Sequence, residues 1–199
     1  MVVTENAITN TLDYNLIQHH EALSSALVGG FNFTGLDGNN VDEYLITFDL
    51  AIPSQATQIF YAYLNVNNDW AAHYRSNLHA QGWNGTNIHT VSTDTSSGAF
   101  VMANSGLSHT LGGFKGWVKF SPQLTNDEKV GYVWHGDGMQ IESEVQFKYG
   151  TGEWYKFIST GMYIPTTSAT QCQIFIGGAS VQPTMWGTVN LYEHRRDWL

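Results

Sequence analysis

The sequence predicts a mainly β protein, an antiparallel β-sandwich of the jelly-roll type with a short N-terminal helical arm. Only 13% of the 199 residues are charged and 14% are aromatic. That composition favours strands over long helices, which are rich in Ala, Glu, Lys and Leu, and its aromatic content excludes disorder. Runs of alternating apolar and polar residues begin at residue 43, and clusters of Gly, Asn, Asp and Ser separate them. Short strands joined by polar turns are typical of sandwiches.

The first segment has a different period from the rest of the chain. Residues 12–28 show the spacing of an amphipathic helix, and Gly29 and Gly30 supply a stop after it. The apolar face comprises Leu12, Leu16, Leu23 and Leu27. We therefore expect residues 1–30 to form an arm and residues 31–199 to form the sandwich. The helix would pack either on its own domain or on sister copies or a host assembly, and both alternatives stay open.

Alternation along the later runs predicts which side chains face the core. The segments EYLITFDL (43–50), GFKGWVKFS (113–121) and MQIESEVQFKY (139–149) each have one apolar face. The predicted inward residues are Tyr44, Ile46, Phe48, Leu50, Phe114, Val118, Phe120, Ile141, Val145 and Phe147. The segment TQIFYAYLNV (57–66) is apolar on both faces, so it is expected to be covered on both sides.

Charge and cysteine content exclude several classes of partner. The net charge is −9, and the first 74 residues carry eight acidic residues and no Lys or Arg. Such a surface repels phosphate backbones, so neither nucleic acid nor an anionic membrane surface is an expected partner. No apolar run approaches the ~18 residues of a membrane span. Cys172 is the single cysteine, which excludes internal disulfides and a cysteine-based zinc cluster. We expect no cofactor.

The sequence contains neither a G-x-S-x-G nor an H-E-x-x-H motif. Glu142 and Glu144 share one strand face about 6.6 Å apart, a spacing that suits a glycosidase carboxylate pair. Gln146 and Lys148 continue the same face, and a solvated strand face explains all four. We therefore expect no enzymatic activity, and keep a polysaccharide-degrading hydrolase or lyase as the alternative of another class.

An acidic loop precedes the first alternating run. Its ligand-type side chains stand at nearly alternating positions, as in calcium loops: Asp37, Asn39, Asp42 and Glu43. Only a fragment of the calcium pattern is present, and a turn stabilised by Asx side chains explains it better. No metal site is predicted.

Aromatic residues beside amides and carboxylates indicate a candidate carbohydrate-binding site. Its members lie in a loop-rich segment: Asn68, Asp69, Trp70, Tyr74 and Trp83. Flat rings stack on the apolar faces of sugars while polar groups bind the hydroxyls. The alternative is that these rings only cap the open ends of the sandwich.

Two motifs resemble a known family. A strand leads into NVNND (65–69) and then His73-Tyr74, and the chain closes with QIFIGG (173–178) and WGTVNLYE (186–193). Over roughly residues 31–194 the chain resembles a jelly-roll module of tailed-bacteriophage structural proteins, which reads fN-x-D…NY and ends on a G-S/T-x-x-LYG strand. Glu193 stands where that module has Gly. This difference bears on which subgroup of the module the chain resembles more than on the class of protein.

The resemblance implies a non-enzymatic virion component, made in the host cytoplasm. The leading expectation is a tail-fibre or tail-tip adhesin with a host glycan as its candidate ligand. A head decoration protein is the alternative. By analogy with phage fibres we expect a homo-oligomer, with a trimer favoured, attached to other virion proteins through the N-terminal arm.

Overall fold

A computed structural model describes residues 14–22, 30–51, 60–83, 88–104, 111–122, 138–149, 154–164, 167–178 and 185–195. These ranges contain twelve β-strands and no helix. The strands are β1 (Tyr14–Ala22), β2 (Gly30–Thr34), β3 (Glu43–Ala51), β4 (Phe60–Val66), β5 (Tyr74–Trp83), β6 (Ile88–Ser97), β7 (Phe100–Asn104), β8 (Leu111–Phe120), β9 (Met139–Tyr149), β10 (Trp154–Tyr163), β11 (Gln171–Gly178) and β12 (Trp186–His194). The expected mainly β class is confirmed.

The strands form two sheets. The large sheet has eight strands in the order β1-β12-β3-β8-β9-β10-β5-β6, and the small sheet has four in the order β2-β11-β4-β7. Every neighbouring pair is antiparallel. Side chains from both sheets contribute to one buried apolar cluster. The protein is therefore a sandwich-like, all-β fold in which each sheet has one face toward the core.

The predicted inward faces of β3, β8 and β9 are confirmed. All ten side chains expected in the core are at most 3% exposed. The expectation that the segment containing β4 is covered on both faces is also supported, since Ala62, Leu64 and Val66 are buried and Tyr61 and Tyr63 are only partly exposed. Alternation therefore located the core correctly wherever one face of a strand is polar.

The helix predicted over residues 12–28 is wrong where the structure describes it, because residues 14–22 form β1. β1 pairs antiparallel with β12 from Tyr14 opposite His194 to Ala22 opposite Gly187. Without β1, β12 would be an open edge whose amides and carbonyls lack partners, whereas an isolated helix of this length is marginal in water. Tertiary pairing therefore overrides the leucine spacing. Leu12, Leu23 and Leu27 lie outside the described residues.

Side chains of β1 also close one side of the sandwich. Gln18 Nε2 donates to the carbonyl of Thr34 at 2.7 Å, and His20 Nε2 donates to the carbonyl of Asn32 at 2.9 Å. The His20 ring lies edge-on to Phe33, with 4.8 Å between ring centroids. Since Asn32 and Thr34 belong to β2, an edge strand of the small sheet, these contacts join the two sheets where the backbone ladder ends.

Candidate functional site

The segment after β4 is a tight turn made by asparagines. Asn67 and Asn68 both have positive φ, 58° and 54°, and the amide of Asp69 donates to the carbonyl of Val66 at 3.2 Å. Two consecutive left-handed residues are characteristic of a type I′ turn, and Asn tolerates that conformation better than most residues. The NVNND motif therefore forms a tight turn.

Two asparagine side chains of this motif bind neighbouring loops. Asn67 Oδ1 accepts from the amide of Thr170 at 2.9 Å, and its Nδ2 donates to the carbonyl of Ser168 at 3.2 Å. The buried Asn65 Nδ2 donates to the carbonyl of Gly98 at 3.1 Å. Both side chains therefore fix the backbone of this end of the sandwich rather than face a ligand.

Asp69 organises the segment that follows the turn. Its carboxylate accepts from His73 Nδ1 at 2.8 Å, from the Ala71 amide at 2.9 Å and from the Tyr163 hydroxyl at 3.0 Å. Burial by itself would raise the pKa of the Asp69 carboxyl. The hydrogen bonds from His73, Ala71 and Tyr163 outweigh it, so this pKa lies below its ordinary value. Asp69 is therefore a fixed anion beside an exposed imidazole.

Trp70 is the aromatic residue that this segment presents to solvent. Its side chain is 51% exposed, and its Nε1 donates to Asn68 Oδ1 at 2.9 Å. The hydrogen bond fixes the orientation of the indole, which lowers the entropy lost when a ligand stacks on it. We call Asn68, Asp69, Trp70 and His73 the turn site.

The structure separates the two other predicted carbohydrate-binding residues from the turn site. Tyr74 is fully buried, its hydroxyl bonds the amide and carbonyl of Val66 at 2.7 and 3.1 Å, and its ring stacks on Tyr163 with centroids 4.3 Å apart. Trp83 lies at the other end of β5. At ~3.4 Å per residue it is about 30 Å from Tyr74, and its side chain is not among those that the structure describes.

The network around Asp69 gives a pH-dependent prediction. A carboxyl whose pKa is lowered by folding stabilises the native state above its unfolded pKa of about 3.9, and the stabilisation is lost as the pH falls through the folded value. We expect Asp69→Asn to lower the free energy of unfolding by about 1–2 kcal/mol at pH 7 and by much less near pH 3. Urea unfolding of both proteins at the two pH values measures this difference. An equal difference at both pH values would contradict the assignment.

The carboxylates considered for catalysis both pair with lysines. Lys119 Nζ lies 3.3 Å from Glu142 Oε2, and Lys156 Nζ lies 2.8 Å from Glu144 Oε2. Both glutamates lie on the outer face of β9, where these cross-strand pairs account for their positions. The geometry is that of a solvated strand face, the simpler of the two interpretations.

The acidic loop before β3 forms a turn with its own contacts. The Asn40 amide donates to the carbonyl of Asp37 at 3.1 Å, and Asn40 Nδ2 donates to the Asp37 carboxylate at 3.0 Å. The Glu43 carboxylate accepts from the Tyr14 hydroxyl and lies 3.6 Å from Lys119 Nζ. Within the described ranges no three His, Cys, Asp or Glu side chains are grouped as metal ligands.

A groove on the outer face of the large sheet was not predicted from the sequence. It has a volume of about 610 Å³ and crosses β3, β8, β9 and β10. Its lining residues include Asp49, Lys115, Gln146, Lys148, Trp154 and Lys156. We call this the outer-face groove. The alternation gave the outward direction of Lys115, Gln146 and Lys148, but only the strand order brings them together.

Comparison with known proteins assigns the chain to no family, since no family model, curated protein or solved structure matches it. In the part of the chain that the structure describes, there is no helix long and apolar enough to cross a membrane.

Proposed function

We propose that the protein is a non-enzymatic virion surface component of a tailed bacteriophage, in the tail or adhesion apparatus, that binds carbohydrate of the host surface. The observation that carries the carbohydrate part is the turn site. An oriented, half-exposed indole stands beside a fixed carboxylate and an exposed imidazole, which is the combination of stacking surface and hydrogen-bonding groups that sugars require.

Strand connectivity supports the jelly-roll part of the proposal. The strands β1-β12-β3-β8 are neighbours in the large sheet, and β2-β11-β4-β7 make up the small one. Chain neighbours such as β1 and β2, β3 and β4, or β11 and β12 therefore fall in different sheets, as expected for a jelly roll of eight strands in two sheets. On this assignment β5, β6, β9 and β10 are additions that widen the large sheet.

Glycan-array binding tests the carbohydrate function. Stacking on one ring contributes about 1 kcal/mol, so Trp70→Ala should weaken binding several-fold while the circular dichroism spectrum stays unchanged. Ile158→Ala is the matched control, since Ile158 is another exposed apolar residue, 42% exposed on β10. A wild-type protein that binds no glycan, or full binding by Trp70→Ala, would contradict the turn site.

The same array distinguishes binding from catalysis. Sugars released from a bound polysaccharide, with release abolished by Glu142→Gln, would favour the hydrolase or lyase alternative over a binding protein. A binding protein should hold the polysaccharide and release no product.

For assembly, we propose that residues 1–30 mediate homo-oligomerisation, with a trimer favoured, and attachment to other virion proteins. Its described residues are β1, an edge strand of the large sheet, and Gly30, which begins β2. Leu16 and Ile17 are 56% and 37% exposed in β1. Exposed apolar side chains on an edge strand are unfavourable in a free monomer and suit a contact between chains.

The double substitution Leu16→Lys with Ile17→Lys should dissociate the oligomer, because charged side chains on an edge strand oppose association. Light scattering coupled to size-exclusion chromatography measures the mass. The thermal midpoint should change little, since both side chains are exposed. Ile158→Lys, away from this edge, is the control. An unchanged oligomer in the double variant would show that β1 serves only its own sheet.

A further inference from the structure

We propose that the outer-face groove binds an acidic oligosaccharide, with lysines pairing its carboxylates and tryptophans stacking on its rings. This inference rests on the proposed carbohydrate function but uses a site separate from the turn site. Trp154, at the groove, is paired with Trp83 at one end of β5, and the turn site precedes Tyr74 at the other end. The two sites can therefore be tested independently.

The floor of the groove, and the position of a second tryptophan beyond it, follow from the strand register. Across the sheet, Trp186 pairs with Ala51, Ala51 with Gly113, Gly113 with Lys148 and Lys148 with Trp154. Ala51 has a small side chain and Gly113 has none, so the floor of the groove is low between β3 and β8. Trp154 lies at the groove beside Lys148, and Trp186 lies on the next strand beyond the lining residues; the two indoles are 43% and 45% exposed. Four strand spacings of ~4.8 Å separate them by about 19 Å. That distance accommodates a chain of sugar rings rather than a single one.

The groove is locally basic in an acidic protein. Three of the eight Lys and Arg residues of the chain lie at it, Lys115, Lys148 and Lys156, whereas the net charge of the whole is −9. Lys156 pairs with Glu144. Among the described residues, no carboxylate lies within ion-pair distance of Lys115 or Lys148. Two ammonium groups that form no ion pair with a described carboxylate, in a concave site, favour an anionic ligand.

An amide and a carboxylate complete the site. Gln146 stands between Lys115 and Lys156 in the register of β8, β9 and β10, and Asp49 stands opposite Lys115 on β3. Amide and carboxylate groups at these places can bind sugar hydroxyls, while the tryptophans stack on ring faces. A second hollow of about 300 Å³ shares Asp49, Lys115 and Gln146 and extends toward Trp117. The ligand can therefore extend along the strands as well as across them.

The experiment is calorimetric titration with three acidic tetramers: tetragalacturonate, a hyaluronan tetrasaccharide and an α2,8-linked tetramer of sialic acid. Fully methyl-esterified tetragalacturonate is the neutral counterpart of the first. We expect at least one acidic tetramer to bind, more weakly as salt is added. Lys115→Gln and Lys148→Gln should each lower its affinity about five-fold, and Trp154→Ala about ten-fold.

Two variants control for charge and for exposed apolar surface. Lys119→Gln removes the same charge from the same strand two outward positions away, and Ile158→Ala removes an exposed apolar side chain of β10 that does not line the groove. Both should bind the tetramer as the wild type does. If none of the three tetramers binds, the groove proposal is wrong, and glycan binding lost only in Trp70→Ala would leave the proposed function intact.

Two further outcomes would show that the ligand of the groove is not an acidic oligosaccharide. If the methyl ester binds as tightly as tetragalacturonate, the groove takes a neutral glycan and the lysines are incidental. If a single-stranded oligonucleotide binds more tightly than every tetramer and depends on the same lysines, the groove is a nucleic-acid site.

Discussion

Gly116→Ala should destabilise the protein by at least ~3 kcal/mol, the cost of forcing a side chain against a neighbouring backbone. Gly116 lies in the middle of β8 with a φ of +152°, and a Cβ there would stand 2.0 Å from the carbonyl oxygen of Glu144 on β9. The clash is with backbone, so the ladder between β8 and β9 would have to open. For a domain of this size the thermal midpoint should fall by roughly 6–12 °C.

Gly113→Ala is the matched control for that prediction. Gly113 lies on the same strand, but a Cβ there would be 3.6 Å from the carbonyl oxygen of Leu50, which is an ordinary van der Waals contact. Its thermal midpoint should stay close to that of the wild type. Equal midpoints for the two variants would mean that β8 and β9 do not approach each other as described.

Phe147→Ala should cost about 3–5 kcal/mol, as truncations of buried aromatic residues do. Phe147 is fully buried on the inner face of β9, and its ring lies between Phe114 and Phe157 with centroid distances of 4.9 and 5.4 Å. The truncation leaves a cavity on the inner face of the large sheet, between Phe114 of β8 and Phe157 of β10. Denaturant unfolding followed by tryptophan fluorescence measures the loss.

Phe147→Leu distinguishes packing from a specific aromatic requirement. Leu keeps most of the volume, so the cost should stay well below that of Ala. A loss of less than 1 kcal/mol (roughly a surface value) for Phe147→Ala would contradict the placement of this ring in the core.

Side-chain alternation predicted the core, and it did so for a physical reason. β3, β8 and β9 each have one polar and one apolar face, so the two-residue period identifies the inward set, Phe147 among them. Residues 14–22 lack such a pattern. Their conformation depends on β12, which is more than 160 residues later in the chain, so local spacing around Leu16 predicted a helix instead.

The two candidate sites differ in how far the sequence could predict them. Asn68, Asp69 and Trp70 are consecutive, so their proximity was visible, whereas the burial of Tyr74 depends on its stacking with Tyr163 from a distant strand. The outer-face groove needs the order β3-β8-β9-β10. Alternation gives the face of a residue but not its cross-strand neighbours, and Trp154 and Lys115 meet only through that order.

The proposed function makes the protein a surface component of a phage particle. Electron microscopy of purified particles labelled with gold-conjugated antibodies against the folded protein tests this role. We expect labelled particles, with label at the tail; label over the head instead would favour the decoration-protein alternative. Protein that is present in the infected-cell lysate and absent from intact, purified particles would contradict the claim.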